Sequence, residues 1–266
     1  MELLFDPLFR LPFFAGLTAA VAVAVVGLYL RLRGEWLAAL GFAHLAGAGG
    51  VAGLLLGAPP LAAALAASAV AVAIKGALHR TGNDVYAWLI LFGWAAMMLG
   101  ASMTYHAKLL GENLMEGQLY FVGAEELWAT LIVAGAAAVL LPIISRRLLR
   151  HELVPGHDAA NGKPLWPVTL GFDLIAAAVV AITALVMGVM AAFALVFIPA
   201  WLAFALAGGW RRAVAWAAGL AAAIYTAAFV TAMALDLPFA TVLVGIAAAV
   251  APLRLLAGRL GGRLQA

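Results

Sequence analysis

The chain has no cysteine and very little charge. Zero cysteines exclude a disulfide framework and any thiolate metal ligand. A metal site must therefore draw on His, Asp, Glu, Met or backbone carbonyls. Charged residues make up 10% of the 266, against about 25% in an average soluble domain. A soluble domain of this length needs far more surface charge. The phosphate-binding G-x-x-x-x-G-K-[ST] loop is missing, since Gly162-Lys163 runs into Pro164. Also missing are an H-E-x-x-H pair, a Ser-x-x-Lys pair and paired intramembrane aspartates. These gaps exclude ATP hydrolysis through that loop, and they leave an intramembrane enzyme without a nucleophile–base pair. Ionisable groups within the apolar runs are too few for a proton-pumping relay.

What remains is apolar. The chain is 67% hydrophobic, and its mean hydropathy is +1.11. The bilayer must be most of its solvent, so the fold class is all-α and polytopic. A spanning helix needs about 20 mainly apolar residues. That rule marks nine segments, at about 9–30, 36–57, 59–78, 84–104, 127–145, 168–187, 189–207, 212–233 and 238–257. The seventh contains Pro199 and reads as a full span or a half-helix, so eight spans is the second count. Continuous apolar runs leave no β-barrel alternation. The start, Met-Glu-Leu-Leu-Phe-Asp, has no basic n-region, and the first run reads as a retained span.

The scarce charge is sorted. Net charge is +3. With the N-terminus outside and the C-terminus cytoplasmic, 13 of the 15 Lys and Arg residues fall on the inner side. They are Arg31, Arg33, Arg80, Arg146, Arg147, Arg150, Lys163, Arg211, Arg212, Arg254, Arg259 and Arg263, with Lys75 snorkelling to join them. Only Arg10 and Lys108 lie elsewhere. The outer side carries Glu2, Asp6, Glu112, Glu116, Glu125, Glu126 and Asp236. Residues 1–266 read as one transmembrane domain, with an outer loop at 105–126 and a cytoplasmic loop at 146–166. The first part of the inner loop is expected to form a short helix along the membrane surface. Turn signals at Pro155-Gly156 and Asn161-Gly162 punctuate it.

Span 2 is the most informative segment. Gly49, Gly53 and Gly57 recur at four-residue spacing, which lets two helices approach closely. His44 sits mid-span among small residues. An intramembrane ionisable group is by default a site hypothesis; the other reading is a neutral imidazole bonded to a backbone carbonyl. Asp84 reads as an acid at a helix start, and Asp236 in Leu-Asp-Leu-Pro as a turn residue. Asp173 is expected to contact Lys or Arg near the cytoplasmic end of its span. Glu112 and Glu116, with His106 nearby, have metal-compatible chemistry but read as solvated loop residues. Glu125-Glu126 fits the acidic first turn of a helix. Met97, Met98, Met103, Met187 and Met190 read as packing.

In order, these segments resemble the ABC-3 family, the permease subunits of bacterial zinc, manganese and iron importers. The opening Glu2-Leu-Leu-Phe-Asp-Pro-Leu-Phe-Arg10 is similar to that family's start. The stretch Leu30 to His44-Leu-Ala-Gly is similar to its arginine-bearing turn and G-D-x-L-x-H-A pattern. Asp84 to Phe92 is similar to its D-T-x-x-G-I stretch. Ala194-Leu-Val-Phe-Ile-Pro199-Ala is similar to L-L-I-I-P-A, and Asp236-Leu-Pro to D-x-P. The resemblance covers nearly the whole chain in register.

It implies a non-enzymatic permease subunit in the bacterial inner membrane, surrounded by lipid, with no nucleic-acid partner. Its partners would be a separate ABC ATPase, a second permease subunit in a homodimer, and a periplasmic metal-binding protein. No tightly bound cofactor is expected; zinc, or another divalent metal, would be cargo. Of the family's ligand set, His44 is retained as the metal residue. The Asp position is Leu40, and a second His position is Phe92. In the coupling loop, the expected Asp falls near Gly156. The resemblance leaves a second function open: a diverged subunit with another substrate, or a structural role in a larger membrane complex.

Overall fold

The computed structural model describes residues 7–78, 83–117, 119–154 and 156–252. Glu2, Asp6, Arg80, Pro155, Arg254, Arg259 and Arg263 lie outside the described residues. The elements are α1 (Pro7–Leu32), α2 (Ala38–Leu56), α3 (Pro60–Ala77), α4 (Asn83–Ala101), α5 (Tyr105–Glu116) and α6 (Ala124–Leu153). They continue with α7 (His157–Ala160), α8 (Trp166–Met187), α9 (Val189–Leu206), α10 (Trp210–Leu235) and α11 (Phe239–Val250). Eight of these are long and apolar enough to cross a membrane: α1 to α4, α6, α8, α9 and α10. The chain is a multi-pass membrane protein. The ninth candidate is a helix of 12 residues within the described part, shorter than a span. The seventh is not broken, because α9 runs through Pro199 to Leu206.

Two expected loops are largely helix. Residues 105–116 form α5, capped where Thr104 Oγ1 accepts from the Ala107 N–H at 3.1 Å. The inner loop begins later than expected. Residues 146–153 are not a separate surface helix but the end of α6, which runs for 30 residues. Leu, Ile and Arg are good enough helix formers to carry it past the apolar core. At its other end Glu125 and Glu126 lie in the first turn, and Glu126 Oε2 accepts from the Gly123 N–H at 2.9 Å.

Helix α8 is the centre of the bundle. It packs on α1, α2, α3, α6 and α9, and most of its length is buried. In lipid no hydrophobic force drives helices together, so close packing must do it. The span 2 glycines serve this within the chain: a Cβ at Gly49 would lie 2.6 Å from the Ala63 carbonyl oxygen, and one at Gly53 would lie 2.5 Å from the Ala63 Cβ. Their partner is α3 of the same chain. Gly57 instead closes α2 as a left-handed cap.

Contacts between remote helix ends divide the molecule into two poles. At one pole Tyr29 of α1 donates to Ser145 of α6 at 2.9 Å and packs edge-on against Trp210 of α10 at 4.8 Å. At the other, Phe13, Tyr120, Tyr225, Phe229 and Phe239 interlock, and the Tyr225 hydroxyl donates to the Phe13 carbonyl at 3.1 Å. Tyr120, expected in an open loop, is part of this aromatic cluster. Burial, together with the negative charge of Asp236, raises its pKa above the ordinary phenol value. Asp236 ends α10 at φ 52° and begins the turn into α11, as expected.

The apex of the second pole is held by two glycines. Gly188, between α8 and α9, has φ 90° and ψ 156°, a region open essentially to glycine. A Cβ there would lie 2.9 Å from Gly117 Cα, and Gly117 itself has φ 76°. Gly188→Ala is expected to destabilise the protein by about 1–3 kcal/mol through backbone strain alone. Thermal unfolding in detergent measures this; an unchanged melting temperature would refute the account.

Candidate functional site

Two arrangements stand out: a buried charge cluster at the pole of Tyr29 and Ser145, the basic pole because Arg33, Lys75 and Arg146 lie there, and His44 in the second turn of α2.

The cluster is built from five residues on four chain segments. Arg33 and Glu35 come from the turn between α1 and α2, Lys75 from the last turn of α3, Tyr86 from the first turn of α4, and Asp173 from the second turn of α8. Arg33 Nη1 donates to Asp173 Oδ1 at 2.8 Å, and Arg33 Nη2 lies 3.1 Å from Glu35 Oε2. Lys75 Nζ bridges the two acids, at 2.9 Å from Glu35 Oε2 and 2.8 Å from Asp173 Oδ2. The Tyr86 hydroxyl donates to the same Glu35 oxygen at 3.2 Å. All four charged side chains are almost wholly buried, with exposures of 4–8%.

Two cations and two anions cancel. Burial lowers the pKa of Arg33, but Asp173 and Glu35 outweigh it and hold the guanidinium above its ordinary value. Arg33 also lies over the Phe172 ring at 5.0 Å, and Lys75 over Tyr86 at 5.6 Å. Asp173 therefore does meet basic residues, as expected. Lys75 does not snorkel; its ammonium is enclosed. Glu35 and Tyr86 carry no sequence motif, and only the fold brings them together.

His44 lies in the densest crossing of the bundle. It is 7% exposed, and Gly93 of α4 packs on its backbone; a Cβ at Gly93 would lie 2.8 Å from the His44 carbonyl carbon. Its Nδ1 is 2.8 Å from the Leu40 carbonyl oxygen, one turn back along α2. A carbonyl only accepts, so Nδ1 carries the proton and Nε2 keeps its lone pair. The geometry is that of the second sequence reading, an imidazole tied to a backbone carbonyl, and it leaves Nε2 as the nitrogen not used in that bond. The side chains at the other two resemblance positions are apolar. Leu40 packs against the main core, and half-exposed Phe92 stacks on Trp88 at 5.4 Å.

Among the described residues, no three His, Asp or Glu side chains gather as a metal cluster. His106 packs edge-on against Tyr105, and Glu112 lies 3.8 Å from Lys108 on the exposed face of α5. Between α6 and α8, α7 carries Asp158, whose carboxylate is buried with no hydrogen-bond partner among the described residues.

Removing one member of the charge cluster strands buried charge. Lys75→Ala is expected to destabilise the protein by about 3–5 kcal/mol. Lys75→Arg can keep both carboxylates paired and should retain most of that stability. Equal melting temperatures for Lys75→Ala and the parent protein would contradict this geometry.

Comparison with known proteins agrees with the helical layout. Two solved structures share the fold. One is described as PsaBC from Streptococcus pneumoniae in complex with Fab; the match covers 95% of this chain and 93% of that one at 16% identity, with a TM-score of 0.81. The other is described as an inward-facing conformation of a metal-chelate type ABC transporter; it covers 92% and 84% at 15% identity, with a TM-score of 0.72. No curated protein matches. A family model, the ABC 3 transport family, matches residues 6–257. The chain belongs to the ABC 3 transport family, as a membrane permease component.

Proposed function

We propose that this chain is the permease subunit of an ABC importer for a divalent transition metal, with zinc as the first choice. The observation that carries this reading is the family match over residues 6–257. The likeness to PsaBC and to a transporter described as metal-chelate type supports it at the level of fold. In this reading the basic pole faces the cytoplasm, because Lys and Arg concentrate there. The 146–166 segment engages a separate ATPase. A second copy of the permease completes the pathway, and a periplasmic binding protein delivers cargo to the opposite pole, that of the aromatic cluster. Helices rearrange around a site near mid-membrane.

His44 is the cargo ligand in this scheme. Its Nε2 lone pair suits zinc, for which imidazole is a good donor. One imidazole per subunit gives two in a dimer, a weaker set than an Asp and His pair from each. Weak, transient binding fits a transport pathway better than a resident metal site, since cargo must leave.

A second reading is favoured by one specific observation. Leu40 and Phe92 fill ligand positions with packed hydrocarbon. A diverged subunit that moves another substrate, or serves structurally in a larger complex, has no need of those ligands.

Two measurements separate the readings. Gentle purification of the importer should yield permease and ATPase in a two-to-two complex; a complex without ATPase defeats the importer reading. Zinc-65 uptake should be abolished by His44→Ala while the protein remains folded. Normal uptake in that variant removes His44 from the cargo site while leaving the importer reading intact.

A further inference from the structure

An apolar groove of about 240 Å³ runs between α6 and α8. Its walls include Ile132, Val133, Ala136 and Ala137 of α6, and Leu174 and Ala178 of α8. Three of its lining residues, Ala136, Ala137 and Ala178, are alanines, whose small side chains leave the groove open. Gly171 lies one turn from Leu174, on the side of the basic pole.

The groove points to a cation. Arg147 is eleven residues beyond Ala136 on α6, which is three turns and the same helix face. The separation along the axis is about 16 Å, near half of the ~30 Å hydrocarbon core and so the depth of one leaflet. Arg147 Nη2 donates to the Pro164 carbonyl at 3.0 Å. The guanidinium therefore reaches from the end of α6 to the segment that enters α8, above the same cleft. Its Nε–H is buried and has no partner among the described residues. Arg146 and Arg150 are exposed beside it, as is Lys163 next to Pro164. Trp166, 66% exposed, begins α8 where an indole belongs at a membrane interface.

We propose that this cleft is a binding site for an anionic bilayer phospholipid. One acyl chain fills the α6–α8 groove, and the phosphate sits on Arg147 with Arg146, Arg150 and Lys163 around it. Each part of the ligand answers a separate feature. The groove lining is almost entirely hydrocarbon, as an acyl chain requires. The half-buried Arg147 guanidinium is a charged donor fork, with which a phosphate forms strong charge-assisted hydrogen bonds. The surplus of positive charge selects an anionic over a zwitterionic headgroup. The groove lies on α6 and α8, whereas His44 is packed against α4, so the lipid is placed away from the cargo residue. The site would tie α6, the least buried long helix, to the central α8.

The test uses the full chain in nanodiscs of equal phosphatidylglycerol and phosphatidylcholine, extracted gently and read by native mass spectrometry. Retained lipid should favour phosphatidylglycerol several-fold. Arg147→Gln should bring that ratio close to one, and Arg147→Lys should keep most of it. Ala136→Phe should lower the number of lipids retained, with helical circular dichroism unchanged; Ala178→Leu is the milder groove variant should the first not fold. A preference for phosphatidylglycerol that survives Arg147→Gln overturns the headgroup assignment and with it the proposal. So does an Ala136→Phe variant that keeps its lipid but loses the dimer, because a second copy of the chain then occupies the groove.

Discussion

Everything at the basic pole depends on the cancellation of four buried charges. Arg33, Glu35, Lys75 and Asp173 sit within 2.8–3.1 Å of their partners, with exposures of 4–8%. Each alone would be unacceptable there, because taking an ion out of water is expensive even after relaxation. Together they join the α1–α2 turn, α3 and α8, and through the Tyr86 hydroxyl they hold the start of α4. The bridging ammonium of Lys75 is the critical member. It is shared by both acids, so its loss leaves each with reduced compensation, and Arg33 cannot reach every oxygen left behind.

That cluster explains how the rest of the bundle keeps its register. Most of the core is Ala, Val, Leu and Gly, side chains that pack well in several offsets. Packing among them gives adhesion but little orientation in lipid. Directional contacts must set the offset, and they lie at the two poles. The ion pairs and the Tyr29–Ser145 bond set one pole. The other is set by the aromatic cluster and by the Gly117–Gly188 approach, which only residues without a Cβ allow. Between them α2 crosses α4 at Gly93, and the same lack of a Cβ places His44 at that crossing.

How much of this was legible in the sequence follows the range of each interaction. Hydropathy is local, and the eight long helices overlap eight of the nine marked segments, to within three residues at every end but the end of α6. Caps are local too: the acidic start of α6 and the turn at Asp236 fall where their residue types predict. Lys75 is different. A lysine three residues from the end of an apolar run looks like any snorkelling lysine, and only contacts 40 and 98 residues away show otherwise. Glu35 and Tyr86 were silent for the same reason. The extent of α6 was misjudged because hydropathy ends at the last apolar turn, whereas backbone hydrogen bonding continues through Arg146 and Arg150. The span 2 glycines announced a close contact correctly but could not name its partner, which is α3.

The candidate site shows the opposite balance. His44 is conspicuous in sequence because a lone ionisable residue in an apolar run is costly unless it is used or satisfied. Its geometry satisfies one nitrogen locally, through a carbonyl that belongs to Leu40, and so makes no demand on the rest of the fold. A residue held this way can be kept or lost without disturbing the bundle, unlike any member of the charge cluster. The architecture is thus anchored at the poles, and the chemistry at mid-membrane is free to vary. Two proteins at 15% and 16% identity share the layout with this chain, while Leu40 and Phe92 present hydrocarbon where the resemblance implies ligands. In the proposed reading, stability and cargo recognition are carried by different residues at different depths.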